Sequence, residues 1–455
     1  MIVQTLSSFL GGVLTPLALL FCSAGVLSVL GPKRVFLPFR SHGEKSGTEA
    51  AAGLRTSPFA ALTVALAGTL GVGNITGVAS ALFVGGPGAI FWMWVGALAV
   101  IPVKYAEVWL AVRYRRRGRN GYYGGSMYVI RDGLGAKLPG RAGIVLGGIF
   151  ALLCALNALV TGCLVQANAA VSALGPPEPR DRFAAGAALS LLVLGSVLFG
   201  TKKIERITSA VIPSLSVLYI AACLAAILPR LGLMPGVLRL IVTSAFSPRA
   251  AGGAALGFSA REALRFGVMR GIFSNEAGCG TSPTAHASAD TPSASRQASL
   301  GTAEVVFDTL ILCSLTAFVL LLADAEAGLL PRHVEADAAP VVFEAFRILA
   351  GKAFSFLVRL SVPLFAYSSV IAQFYYGSVA VGYLTKSRAA RPAFAVLTAL
   401  FSLLGAAAAP GAMWTAADLL LGLMTVFNCS VLFVLRKTPG SAEIPRSHPR
   451  PASRR

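Results

Sequence analysis

Apolar residues run along this chain in long blocks divided by short polar links, and each block has about the 17–25 residues that a helix needs to cross a bilayer core. Eleven spans are predicted, at 6–30, 57–84, 88–112, 142–173, 183–199, 205–228, 258–288, 297–323, 352–385, 391–409 and 414–435. Short strands of alternating polarity, which a membrane β-barrel requires, do not occur. The predicted fold is therefore all-α, a polytopic membrane helix bundle. The first block has no basic residue before it and no small-residue cleavage pattern, so it reads as a true span rather than a signal peptide. Two further segments, 234–246 and 338–350, read as helices lying at the outer surface.

Composition supports this picture, with 55% hydrophobic and 13% charged residues, where soluble domains carry about half and a quarter. The seven cysteines (Cys22, Cys154, Cys163, Cys223, Cys279, Cys313, Cys429) all fall within apolar stretches without metal-ligand spacing, so neither a disulfide framework nor a metal cluster is expected. A net charge of +20, ending in RSHPRPASRR, invites a nucleic-acid reading, but its placement argues otherwise. Basic residues collect on alternate links: Lys33, Arg34, Arg40, Lys45 and Arg55; Arg113, Arg115, Arg116, Arg117 and Arg119; Lys202, Lys203 and Arg206; Lys386, Arg388 and Arg391; then the tail from Arg436. Cytoplasmic loops of membrane proteins have this bias, which predicts an outside amino terminus, a cytoplasmic carboxyl terminus and an inner or plasma membrane location. The link 229–265 departs from the rule, holding Arg230, Arg239, Arg249, Arg261 and Arg265 on the outer side, as longer loops can.

Two spans are interrupted. The second contains AGTLGVGNITGVA, with Gly68, Gly71, Gly73 and Gly77 around Asn74, and the seventh contains FSNEAGCGTSP, with Ser274, Asn275, Glu276, Gly278 and Gly280. Glycines also serve plain close helix packing. Each interrupted span, however, opens a block of five, so 57–228 and 258–435 are predicted as inverted repeats. Segment 1–56 is then an extra helix with a cytoplasmic link, 229–257 an external connector and 436–455 a cytoplasmic tail. Paired breaks at corresponding positions mark a midplane binding site in such folds. A break frees amides at one half-helix and carbonyls at the other, so it can hold an anion beside a cation, which suits a zwitterionic amino acid with a sodium ion.

GGPGAIFWMW at 85–94, KYAE at 104–107, GNITGVASAL after position 72, GGSMYVIRDGLG at 124–135, VQAN at 165–168, RGIFSNEAGCG at 270–280 and FDTLILC at 307–313 resemble the motifs of the alanine or glycine:cation (sodium) symporter family. The resemblance covers almost the whole chain. It implies a leucine-transporter-like fold with one helix ahead of a ten-helix core, and sodium as coupling ion with no other cofactor. It implies further that carbonyls of Ala67 and Leu70 and one near Phe365, with the hydroxyls of Ser368 and Ser369, hold the ion. Hard cations want several oxygen ligands of this kind, although serines in membrane helices more often bond back to a carbonyl one turn earlier. For the amino acid, the amides near Gly73, Asn74, Ile75 and Gly77 are candidates for its carboxylate, and Ser274, Asn275 and the carbonyls before Gly278 for its ammonium. Gln166, Asn168 and Gln373 are candidates for the pocket wall, or for side chains that stitch helices together.

The chain leaves the family pattern at Val100, at Ala298 and in the ninth span, where Gln373 stands in place of a tryptophan that by resemblance borders the pocket. Glutamine is smaller and polar, which leads us to expect a polar or larger neutral substrate such as serine or glutamine in preference to alanine. Of the intramembrane charges, Lys104 and Glu107 are predicted to pair near the cytoplasmic end. Glu276 is expected to anchor the break, with Arg270 as a candidate partner, while Asp308 and Asp418 read as gates or as ties between helices. Proton-coupled transport through Glu276, or an amino-acid sensor that moves nothing, are the rival readings. An enzyme is disfavoured, because His42, His286, His333 and His448 form no catalytic constellation and no phosphate-binding P-loop occurs.

Overall fold

Among the described residues, nine helices are long and apolar enough to cross a membrane, and they account for every predicted span except the two interrupted by glycine. The computed structural model describes residues 2–32, 35, 56–118, 121–175, 178–198, 201–246, 259–330, 337–408 and 410–440. The helices are α1 (Thr5–Leu30), the half-helices α2 (Pro58–Thr69) and α3 (Thr76–Gly85), α4 (Gly88–Arg113), α5 (Ala142–Leu174), α6 (Pro179–Leu198) and α7 (Thr201–Ile227). After α8 (Met234–Ala245) come the half-helix α9 (Ala260–Asn275), its short continuation α10 (Pro283–His286), α11 (Ala294–Ala327), α12 (Ala338–Ala350), α13 (Lys352–Leu384), α14 (Ala390–Ala407) and α15 (Pro410–Leu435). The two segments expected to lie at the surface are thus helical, as α8 and α12.

Local sequence sets the ends of the elements around the site. Ser57 accepts the Ala60 amide ahead of Pro58 at the start of α2, and Ser259 forms a capping box with Glu262 at the start of α9. Three long helices contain π-helical turns, Leu10–Leu14 within α1, Val160–Leu164 within α5 and Val306–Cys313 within α11. Such turns push a helix face outward and frequently mark functional positions.

Corresponding helices of the two predicted repeats pack on each other: α4 on α11, α5 on α13, α6 on α14, and α3 on α9. Helix α1 lies outside this arrangement, against α15 and α4. Small residues set the approach, since a Cβ on Gly267 of α9 would lie 2.3 Å from the Ala89 carbonyl of α4, and one on Gly405 of α14 would lie 2.4 Å from the Leu164 carbonyl of α5. The periphery is apolar, with Leu191 70% and Phe21 67% exposed, as lipid contact requires.

The two ends of the bundle differ. At one end a short hairpin (β1, Arg116–Gly118; β2, Gly121–Tyr123) follows α4. There Arg115 donates to the carbonyls of Ala289 and Thr291, Arg116 pairs with Asp132 at 2.8 Å, and Lys137 reaches the Val434 carbonyl at 3.0 Å. At the other end Trp92 donates to the Ala245 carbonyl of α8, and Arg230 pairs with Glu326 at 2.6 Å. The basic clusters at 33–55 and in the tail beyond residue 440 fall outside the described residues, as do most of the connector beyond α8 and His42, His333 and His448.

Candidate substrate and ion site

The first break spans Leu70–Ile75, with one 3-10 turn at Val72–Asn74 between α2 and α3. Its backbone is met by side chains from other helices. The Val72 amide donates to Gln166 Oε1 of α5 at 3.1 Å, and Thr316 of α11 donates to the Asn74 carbonyl at 2.7 Å. Glycine is required at Gly71, where a Cβ would stand 2.4 Å from Ser369 Oγ and 2.7 Å from Gln166 Oε1. Ser369 donates to the Ala67 carbonyl at 2.8 Å, and Ser368 to the Phe365 carbonyl at 2.8 Å. Four of the five residues expected at sodium therefore stand in two hydroxyl–carbonyl couples. Ser368 also shows the back-bonding that its sequence reading left open.

A second oxygen cluster lies on the opposite side of the break. Asn74 Nδ2 donates to Asp308 Oδ1 at 2.7 Å and to Ser274 Oγ at 2.9 Å, while Ser274 and Thr309 each donate to Asp308 Oδ2, at 2.7 and 2.8 Å. Asp308 is completely buried and has no ion-pair partner among the described residues, and Asn74 Oδ1 is a buried acceptor without a donor. The π-helical turn of α11 is what brings Asp308, Thr309 and Cys313 to this point. Ile75, by contrast, commits its amide to the Val72 carbonyl at 3.2 Å. Gly77 lies within α3, where an added Cβ would meet no atom nearer than 3.9 Å.

The second break, Glu276–Ser282, is densely wired. Asn275 Oδ1 accepts the Ala277 amide at 2.9 Å, and its Nδ2 donates to Thr309 Oγ1 at 3.0 Å. Glu276 is the non-glycine residue with positive φ (51°) among the described residues, a conformation that costs energy and is held only by its surroundings. Its carboxylate accepts from Gln373 Nε2 and, at 2.8 Å, from Thr281 Oγ1. Gln373 lies one turn beyond Ser369 on α13, packed on Gly162 in the π-helical turn of α5, and its Oε1 is buried without a donor. Gly278 donates to Glu107 Oε2 at 3.1 Å and accepts from Asn428 at 2.9 Å.

The structure corrects one of the sequence readings and chooses between alternatives in two others. Lys104 and Glu107 do not pair: Lys104 bonds Glu304 at 3.0 Å, while Glu107 serves Gly278 and Asn428. Arg270 pairs with Asp418 at 2.5 Å rather than with Glu276, and its guanidinium lies 4.0 Å from the centre of the Trp414 ring. Asn168 turns away from both breaks and donates to the Gly405 and Ala408 carbonyls, each at 2.9 Å, tying α5 to α14. His286 bonds Glu304 at 2.9 Å. Sequence reasoning did not single out Glu304, Asn428, Thr309, Thr316, Phe273 or Trp414. Glu304 was the most discoverable of these, as a charge inside an apolar block.

Phe273 and Trp414 cover the site toward the neutral end, with ring centres 4.8 Å apart and Phe273 against Gly73. The Arg270–Asp418 pair stands beyond them. Two discontinuous helices packed on each other, within a bundle of long apolar helices, define a polytopic secondary-transporter scaffold of the leucine-transporter-like type. The chain belongs to the sodium:alanine symporter family, whose profile matches residues 2–442. It is 36% identical over 380 residues to the sodium/alanine symporter AgcS of Methanococcus maripaludis, covering 83% of this chain and 82% of that one. It is 34% identical over 383 residues to the probable sodium/glutamine symporter GlnT of Bacillus subtilis, covering 84% and 76%. An uncharacterized transporter of Haemophilus influenzae is 37% identical over 386 residues, covering 84% and 81%. Among solved structures, a Na+-coupled sialic acid symporter in a substrate-bound outward-open state shares the fold, with TM-score 0.59 and 14% identity over 93% of this chain and 86% of that one. The family and these relatives are transporters, not enzymes.

Proposed function

We propose that this protein is a sodium-coupled symporter that imports a small neutral amino acid by alternating access. The carrying observation is the oxygen-lined first break, bordered by the Ser369–Ala67 couple on one side and the Asn74–Ser274–Asp308 cluster on the other. Sodium is a substrate of this cycle. Ala67, Leu70, Phe365, Ser368 and Ser369 offer it carbonyl and hydroxyl oxygens without a buried charge. The Asp308 cluster offers a carboxylate, a hydroxyl and the free Asn74 Oδ1, a hard-oxygen set that suits a second sodium ion.

The amino acid binds between the two breaks, its carboxylate toward the amides near Gly73 and Asn74 and its side chain toward Gln373. Among the substrates the family suggests, alanine, glycine, serine and glutamine, the unpartnered Gln373 Oε1 favours one whose side chain carries a donor. The relative named as a probable sodium/glutamine symporter is consistent with that preference. In this reading 57–228 and 258–435 are the repeats that move against each other. The basic end of the bundle faces the cytoplasm, which sets the amino terminus outside and the carboxyl terminus inside.

Uptake of labelled alanine, glycine, serine and glutamine into proteoliposomes, with and without a sodium gradient, tests this. Sodium-driven uptake of at least one is expected. Uptake driven by a pH gradient without sodium would instead assign coupling to protons, and binding without uptake would make the protein a sensor. Repeating the competition in Gln373→Trp isolates that residue, since an unchanged ranking of the four substrates means that Gln373 does not set specificity.

A further inference from the structure

Lys104 is a buried cation outside the sodium position, and it occupies the Asn275 carbonyl, one of the carbonyls before Gly278 that the sequence reading offered to the substrate ammonium. Its Nζ donates to the Asn275 carbonyl at 3.2 Å, to Ser282 Oγ at 2.5 Å and to Glu304 Oε1 at 3.0 Å, and its side chain is fully buried. An ammonium has three N–H bonds, and these partners use all of them. Asn275 is the last residue of α9 and Ser282 immediately precedes α10, so one charged group touches both edges of the second break. Glu304 extends the contact through its other oxygen, which meets His286 Nε2 at 2.9 Å, and His286 Nδ1 meets Gln297 Nε2 at 2.8 Å. Lys104 and His286 thus share the Glu304 carboxylate, one on each oxygen.

The carbonyl end of a helix carries partial negative charge and attracts cations. At the first break that end, around Ala67, is met by neutral serine hydroxyls. At the second it is met by Lys104. We propose that Lys104 is a tethered counter-ion that permanently fills the cation position of the second break. The second break is thereby held by the protein itself, and dependence on a mobile ion is confined to the first. Lys104 is a positioning residue, acting on substrate through the backbone it holds. The consequence for ion coupling rests on the sodium-symport reading, whereas the filling of the break by an ammonium does not.

Chemical rescue tests it. Lys104→Ala leaves the Asn275 carbonyl, Ser282 and Glu304 around a space the size of a small ammonium, whereas Lys104→Met fills that space without a charge. In Lys104→Ala, uptake is expected to fall by about tenfold or more, as for other losses of a charge-assisted contact. Added methylammonium restores it saturably, and tetramethylammonium, which has no N–H donor, does not. In detergent without substrate, methylammonium raises the melting temperature of Lys104→Ala above that in equal tetramethylammonium, and leaves Lys104→Met unmoved. Amine stabilisation of Lys104→Ala alongside a wild-type protein that shows no sodium-driven uptake would sink the symport reading and leave this one standing. Lys104→Met with wild-type uptake and sodium dependence, or Lys104→Ala indifferent to methylammonium, would overturn it. Should Lys104→Ala fail to fold, the charge-balanced pair Lys104→Met with Glu304→Gln serves instead. Amides of 276–282 are then expected to exchange hydrogen about tenfold faster than in the wild type while those of 66–76 do not change, and equal exchange at 276–282 overturns the proposal.

Discussion

The two broken helices answer the same backbone problem in opposite ways. At the first, Leu70–Ile75, the chain supplies glycines and the surroundings supply neutral groups: Gln166, Ser369, Thr316 and the Asn74 amide. Its one charge, Asp308, has no cation facing it among the described residues. At the second, Glu276–Ser282, charged side chains grip the backbone directly, with Lys104 on the Asn275 carbonyl and Glu107 on the Gly278 amide. An unmade hydrogen bond in a membrane interior is costly wherever it occurs. One break is therefore closed by the protein's own charges, whereas the other is met by neutral groups. The contrast teaches that two breaks related by the fold need not be held by the same chemistry.

The largest effect is expected at the wired break. Glu107→Ala strands the Gly278 amide and one N–H of Asn428 Nδ2, whose other N–H keeps the Gly278 carbonyl, at about 1–3 kcal/mol for each N–H left without an acceptor. A lowered melting temperature, whether or not substrate is present, is the expected outcome. An unchanged one would show that water or relaxation completes the second break as easily as the first, and the comparison would fail.

Next come the two asparagines, which the sequence reading offered to opposite ends of the substrate. Asn275→Ala removes the acceptor of the Ala277 amide and should act mainly on stability. Asn74→Ala removes a donor to a buried carboxylate, worth about 1.5–3 kcal/mol or more than tenfold in affinity, and should act mainly on binding of substrate and sodium. Thermal melts set beside binding isotherms separate the two, and equal losses on both axes in both variants would erase the distinction.

Much of this architecture is legible in the sequence because it is written locally. Block length gives the spans, glycine clusters give the breaks, and basic links mark one end of the bundle. What the sequence does not carry is partnership across distance. Lys104 and Glu107 sit three apart on one helix and look like a pair, yet their partners lie on α9, the second break, α11 and α15, some of them 200 or more positions away. Intramembrane charge announces that a partner exists without naming it. The π-helical turn that carries Asp308 to Asn74 is not read from the local sequence either.

A smaller effect is expected from Ser368→Ala combined with Ser369→Ala. Two hydroxyls vanish while the Ala67 and Phe365 carbonyls remain, so the sodium concentration for half-maximal uptake should rise several-fold, about the effect of one ordinary hydrogen bond of roughly 1 kcal/mol. Substrate affinity at saturating sodium should move much less. Unaltered sodium dependence would reduce both serines to helix packing.

The smallest effect is expected at Gly77, and it bears on how far the open character of the first break extends. Gly71 cannot accept a side chain, because a Cβ there would overlap Ser369 and Gln166. At Gly77 a Cβ would meet Phe273, Trp414 and the Val72 carbonyl no closer than 3.9 Å, which is ordinary contact, and the residue has helical surroundings in α3. Gly77→Ala should therefore fold normally and gain about 0.4–1 kcal/mol of stability through the unfolded chain. Its uptake should stay within about twofold of wild type, since a change of under half a kcal/mol in binding amounts to no more. Gly71→Ala should lose uptake altogether. Should Gly77→Ala fold normally and yet stop transport, the half-helices must approach each other more closely at some stage of the cycle than they do in this structure. The boundary of the mobile region would then lie inside α3 rather than at Ile75.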